Sequence, residues 1–273
     1  MARTPARPDI TKRRIVYEVE GMRDVRVHRG LTYRHAAEGA LTMDLYYPSN
    51  NGEGAPAPAV VFVNGYSDIG ARAVLGCALK EMESFVSWGQ LLAASGLAAV
   101  LYETGPDPAD DAETIVRYLL TNAGSLGVDR RRIGLWACSG HVPNALSLLM
   151  NAGRAVIRCA ALCYGLMLDL EGSTAVAEAS RLYRFVNPSA GRAVEDLPAH
   201  AALLVVRAGR DDTPGLNATI DRFVPRALAA NLPISLINHP DAPHALDIVA
   251  DTEESRRMIR EILRFLAAHL TVD

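Results

Sequence analysis

The stretch Arg132-Ile-Gly-Leu-Trp-Ala-Cys-Ser-Gly-His-Val-Pro-Asn runs an apolar strand pattern directly into a helix start, with a thiol and a hydroxyl at the junction. A strand-to-helix turn of that kind holds its junction side chain clear of the backbone, where it can attack a carbonyl carbon. Ser139 and Cys138 compete for the position. With Ser139 as nucleophile, Ala137 is the small residue two positions before it, and His141 stands where a second small residue is expected. With Cys138, Gly140 serves at the second position but Trp136 falls inside the turn, which is the worse fault. Ser139 is therefore the expected nucleophile and Cys138 a buried thiol.

A serine at such a turn requires a base to take its proton and an acid to orient that base, in the chain order Ser, Asp, His. His244 follows the last strand-like run in Asn238-His-Pro-Asp-Ala-Pro-His-Ala-Leu-Asp, a loop stiffened by two prolines, and is the expected base. His239 lies closer to the strand and suits a capping or solvent-facing role. Asp212, Asp211 and Asp169 all follow strand-like runs and stand open as the acid. The oxyanion of acyl transfer requires two backbone donors, one after the nucleophile and one from the loop after the third strand; by position these are Gly140 and Tyr66. His141 reads as structural, because His244 already fills the base's role.

The elements that must hold these residues follow from the apolar pattern. Residues 25–35 and 41–47 read as an antiparallel hairpin at a sheet edge, separated by the turn-prone stretch Ala36-Ala-Glu-Gly. Short apolar runs at 59–63, 97–102, 133–137, 157–163, 202–206 and 234–237 read as strands, each buried on both faces, with amphipathic stretches such as 112–120 between them. The closing helix presents Met258, Ile259, Ile262, Leu263 and Leu266 on one face, with Asp251 and Glu254 as its expected capping box. The fold class is α/β: a mostly parallel eight-stranded sheet flanked by helices. Residues 1–23 read as a basic N-terminal tail and 24–273 as one domain. Residues 170–200, long, polar and punctuated by Gly and Pro, read as a cap-like insertion above the site.

Over residues 24–270 the chain resembles the α/β-hydrolase superfamily, and within it the dienelactone-hydrolase-like or acyl-esterase-like branch. The resemblance is carried by Asp111-Ala112 opening a helix, the run Gly127-Val-Asp-Arg-Arg-Arg-Ile-Gly-Leu, the Ser139 turn, Gly209-Arg-Asp-Asp and Pro243-His-Ala. It implies a Ser139, Asp212, His244 triad, because the family's acid spacing after the glycine falls on Asp212. Ala137 and His141 depart from the family's motif glycines, and Asn64-Gly65-Tyr66 stands where many relatives carry a histidine that braces the oxyanion loop. The implied activity is ester hydrolysis through an acyl-enzyme. A peptidase or amidase, an acyltransferase or cyclase, and a non-catalytic binding protein on a hydrolase scaffold are the rival readings.

Composition narrows the field further. At 273 residues and 49% hydrophobic content, the chain can bury one large core and is not disordered. The first 34 residues hold nine Lys or Arg against four Asp or Glu, so the body is acidic and no nucleic-acid partner is expected. No apolar run approaches the ~20 residues of a membrane span, and no h-region follows the first basic residues; a cytoplasmic protein without a membrane partner is expected. Cys77, Cys138, Cys159 and Cys163 lack metal-ligand spacing and read as reduced thiols. Neither a dinucleotide fingerprint nor a phosphate loop occurs, so no cofactor or metal is expected and the partner is a small-molecule acyl substrate.

Overall fold

The computed structural model describes residues 9–37, 39–48 and 55–271. The opening hairpin is β1 (Val27–Ala36) and β2 (Gly39–Tyr46), antiparallel at one edge of the sheet; Glu38 of its turn lies outside the described residues. The unalternating apolar runs become β3 (Ala57–Phe62), β4 (Ala98–Tyr102), β5 (Val128–Cys138), β6 (Ile157–Cys163) and β7 (Ala202–Ala208), and β8 (Ile234–His239) forms the far edge. Their order is β1-β2-β4-β3-β5-β6-β7-β8, with β2 antiparallel to β4 and every pairing from β4 to β8 parallel. Every residue of β3 and β4 is buried, which is why these strands carry no polar face, but β8, expected to be buried like them, is largely exposed because it is the sheet's edge strand.

Helices cover both faces. α1 (Asp68–Leu75) and α2 (Glu83–Ala94) follow β3, α3 (Pro108–Leu126) follows β4 and α4 (Val142–Met150) follows β5. α5 (Ala175–Tyr183) lies between β6 and β7, α6 (Leu216–Ala229) joins β7 to β8, and α7 (Leu246–Val249) and α8 (Glu253–Leu270) close the chain. α3, α4 and α6 pack on one face through Ile115, Leu146 and Phe223, while α2 and α8 pack on the other through Trp88, Met258 and Ile262. Burial of each such side chain contributes roughly 1.5–3 kcal/mol, so the apolar stripe of α8 is a large part of what holds that layer.

Two local expectations are corrected. The cap of α8 is Thr252, whose hydroxyl accepts the Ser255 N–H at 3.1 Å; Asp251 stands one residue outside and pairs with Arg256 instead. Residues 9–23 are no solvated tail: Ile15 and Met22 are buried against α2, and the Ile15 N–H donates to Ser87 Oγ at 3.1 Å. The apolar residues of this segment find a groove that its charge balance does not disclose. The Val16 N–H reaches the Asp247 carbonyl at 2.8 Å, and Arg256 Nε donates to the Val16 carbonyl at 3.2 Å, so the segment is tied to the closing loop and to α8.

Candidate active site

β5 ends at Cys138 and the chain turns at Ser139 into a single 3-10 turn, Ser139–His141, that leads into α4. Ser139 has φ +52°, a left-handed conformation that costs a non-glycine residue about 1–3 kcal/mol and persists only where its surroundings enforce it. The turn beside it is closely packed. A Cβ on Gly140 would stand 2.5 Å from Tyr66 Oη and 2.7 Å from Phe185, and one on Gly65 would stand 2.5 Å from the Gly140 carbonyl oxygen. The tight residue of this turn is thus the one directly after the serine. Ala137 is fully buried in the strand and fits without strain.

His141 explains how a larger side chain is tolerated at the second position. Its ring turns inward and Nδ1 accepts the Gly65 N–H at 2.8 Å, so Nδ1 is unprotonated and the ring is neutral. Burial lowers its pKa to about 4, and Tyr66 and Phe85 stand edge-on to it at 5.0 and 5.8 Å. The imidazole therefore braces the Asn64–Ser67 loop from the side of the nucleophile turn. Asn64 holds the other side: its Nδ2 donates to the Tyr102 carbonyl at 2.8 Å, and its own carbonyl accepts from Asn144 Nδ2 at 2.7 Å. Thr104 Oγ1 donates to the Tyr66 carbonyl at 2.7 Å, and the Val186 N–H donates to the Gly65 carbonyl at 2.8 Å. With five partners fixing the loop, the Tyr66 and Gly140 N–H groups are left without a loop or side-chain acceptor among the described residues.

The aspartate that meets His244 is Asp211 and not the expected Asp212. His244 Nδ1 stands 2.6 Å from Asp211 Oδ2, whereas Asp212 is exposed and takes no part in the pair. The cause is the turn after β7: the Asp211 N–H reaches back to the Ala208 carbonyl, and the Gly209 and Arg210 N–H groups donate to the His239 and Ala242 carbonyls. That knitting of the two loops directs position 211 inward and 212 outward. The Asp211 side chain is wholly buried while His244 keeps about 30% exposure. Burial alone would raise the Asp211 carboxyl, but the His244 ring and the Thr213 N–H hold it below the ordinary value. Asp169 does not face the histidine; its carboxylate accepts the Val176 and Ala177 N–H groups at the start of α5. His239 ends β8, buried, with Nδ1 unpartnered.

Ser139 and His244 line one cavity of about 800 Å³, together with Tyr66, Cys138, Tyr164 and residues of α1, α2 and α5. Burial pushes the Cys138 thiol far above its ordinary pKa, which disfavours a thiolate. A group that sequence reasoning missed lies beneath the histidine loop. Asp247 is fully enclosed and accepts hydrogen bonds from Trp88 Nε1 at 2.7 Å and Tyr164 Oη at 2.6 Å; the Tyr164 ring in turn packs edge-on against His244 at 5.2 Å. The signal available was an acidic residue three positions beyond the base, directly after a leucine that the core must bury. The four cysteines are free thiols, and no His, Cys, Asp and Glu cluster among the described residues could hold a metal. No described helix is long and apolar enough to cross a membrane.

Comparison with solved structures identifies the architecture. An α/β-hydrolase enzyme from the metagenome of Lake Arreo, Spain, superposes with a TM-score of 0.70 at 17% identity, over 94% of this chain and 84% of that one. One from a Medee basin deep-sea metagenome gives 0.65 at 18% identity, over 91% and 99%. A bacterial heroin esterase gives 0.67 at 16% identity, over 90% and 84%. The chain has the α/β-hydrolase fold. No family model matches it, and no curated protein matches it in sequence.

Proposed function

We propose that this protein is a serine hydrolase that cleaves carboxylic esters through an acyl-enzyme, with Ser139 as nucleophile, His244 as base and Asp211 as the residue that orients the base. The observation that carries the reading is the 2.6 Å contact between His244 Nδ1 and a buried Asp211 carboxylate, on a histidine that shares a cavity with a serine in the left-handed conformation. Ser139 Oγ attacks the ester carbonyl carbon and passes its proton to His244 Nε2; the tetrahedral oxyanion is met by the Gly140 and Tyr66 N–H groups. The carbon–oxygen bond to the alcohol breaks as Nε2 returns the proton to the leaving oxygen. Water, deprotonated by the same nitrogen, then releases the acid and restores Ser139.

The fold's neighbours include named esterases, which favours esters over the amide and acyl-transfer readings of the same machinery. The dienelactone-hydrolase-like branch rests on the motif runs of the chain alone, and the cytoplasmic location on its four free thiols. A fluorophosphonate probe followed by peptide mapping tests the proposal: a phosphonyl adduct on Ser139 is expected. An adduct on Cys138, or none at all on folded protein, overturns it.

A further inference from the structure

Eight large hydrophobic side chains are exposed among the described residues, and they are not scattered. Ile10, Val74, Leu182 and Tyr183 line the cavity that holds Ser139, while Ile69 and Val249 adjoin the lining residues Gly70 and Ile248; only Leu228 and Leu236 lie elsewhere. Val74 is 83% exposed, Leu182 67% and Ile69 55%. Single apolar side chains on a surface are ordinary, but a group converging from four separate segments on one opening marks a binding surface. Behind the opening the walls stay apolar, with Leu79, Met82, Phe85, Trp88 and Trp136 leading toward the nucleophile turn.

The occupant follows from what the opening connects. A folded partner could cover the rim but could not enter, whereas a flexible hydrocarbon chain satisfies rim and walls together and can carry an ester carbonyl to Ser139. The cap helix α5 adds a charge preference: Arg181 and Arg184 are exposed beside Leu182 and Tyr183, and neither forms an ion pair among the described residues. Unpaired cations flanking an apolar rim complement an anionic lipid surface. We propose that the substrate is an ester of a long hydrocarbon acyl chain, drawn from an anionic lipid surface on which this rim lies. The inference rests on the serine esterase reading and adds to it a substrate class and a docking face. It departs from the expectation of no membrane partner, which was drawn from the lack of a long apolar run and of an h-region.

The test uses the full chain and a Val74→Asp, Leu182→Asp double variant, whose exposed positions leave the core intact. Wild type is expected to co-sediment with vesicles of mixed phosphatidylcholine and phosphatidylglycerol and the variant to remain in solution. The ratio of kcat/KM for a dodecanoyl over an acetyl p-nitrophenyl ester is expected to fall about tenfold in the variant, as befits lost apolar contact. Equal sedimentation of both proteins, or a wild type that prefers the acetyl ester, overturns the inference. So does a wild-type dimer that the double variant dissolves, since a second copy would then cover the rim. Phosphonate labelling of Ser139 separates the two failures: labelled enzyme without vesicle binding or chain preference sinks this inference alone, and unlabelled enzyme sinks the esterase reading.

Discussion

Two histidines line the cavity that holds Ser139, and their surroundings make them opposites. His141 is buried, neutral, and bonded through Nδ1 to a backbone N–H; His244 is partly open to the cavity and bonded through Nδ1 to a carboxylate. An imidazole that accepts a backbone proton at Nδ1 has spent its basic nitrogen on holding a loop. An imidazole whose Nδ1–H is held by a carboxylate keeps Nε2 free to take a proton and has an anion beside it to stabilise the imidazolium that results. On the proposed mechanism, residue type does not decide which histidine is the base; the partner of Nδ1 does.

The sharpest way to break that comparison is to remove each participant in turn. Ser139→Ala and His244→Ala should each lower kcat for an activated ester by about 10⁴-fold or more, with thermal unfolding little changed. Comparable loss in a His141 variant that remains folded would erase the distinction. The pair is sharpened at its acid: Asp211→Asn should lower kcat by roughly 10³–10⁴-fold, because the ring loses the group that fixes its tautomer, while Asp212→Asn should stay within about threefold of wild type. Steady-state kinetics on the two variants decides it, and a reversed ranking would return the acid to Asp212.

On the oxyanion side, Gly140→Ala should lower kcat by about 10²-fold, since its Cβ would collide with Tyr66 Oη and the Phe185 ring and displace a donor. An unchanged kcat would remove the Gly140 N–H from the mechanism. The smallest effect concerns stability. His141→Leu leaves the Gly65 N–H unpaired, at a cost of about 1–3 kcal/mol at pH 7. It also changes the pH dependence. The unfolded chain protonates His141 below about pH 6.5, and the native state only near pH 4, so the unfolded state binds more protons in that window and His141 makes wild type less stable as pH falls. The full span is on the order of 3 kcal/mol. Denaturant unfolding between pH 7 and 4.5 should therefore show a shallower loss in His141→Leu than in wild type; parallel curves would mean that the ring is solvated.

The strands, the strand-to-helix turn at Ser139 and the loop that carries His244 were legible because each is written in contiguous residues: an apolar run, a serine at its end, a histidine just after a proline. The aspartate beside His244 was misread by one residue because its orientation depends on the β7 loop bonding to residues 239 and 242, a contact between segments that spacing alone does not contain. The role of His141 depends on Gly65, 76 residues away, and was invisible for the same reason. At α8, Thr252 and Asp251 are both competent caps by type, and only the helix's actual start chooses between them. Residues 9–23 were read by charge, although the apolar Ile15 and Met22 were the informative ones.

The tie between Val16 and Asp247 also bears on how the molecule is made. The segment that carries Val16 is synthesised before its partners at Asp247 and Arg256, and 240 residues separate Val16 from Arg256. It must wait, undocked, until those residues have been made, and a contact of such high sequence separation is among the slowest a folding chain can close. Proteases therefore have their best access to residues 9–23 before the histidine loop exists, and once the loop has formed, the same segment helps to lock it in place.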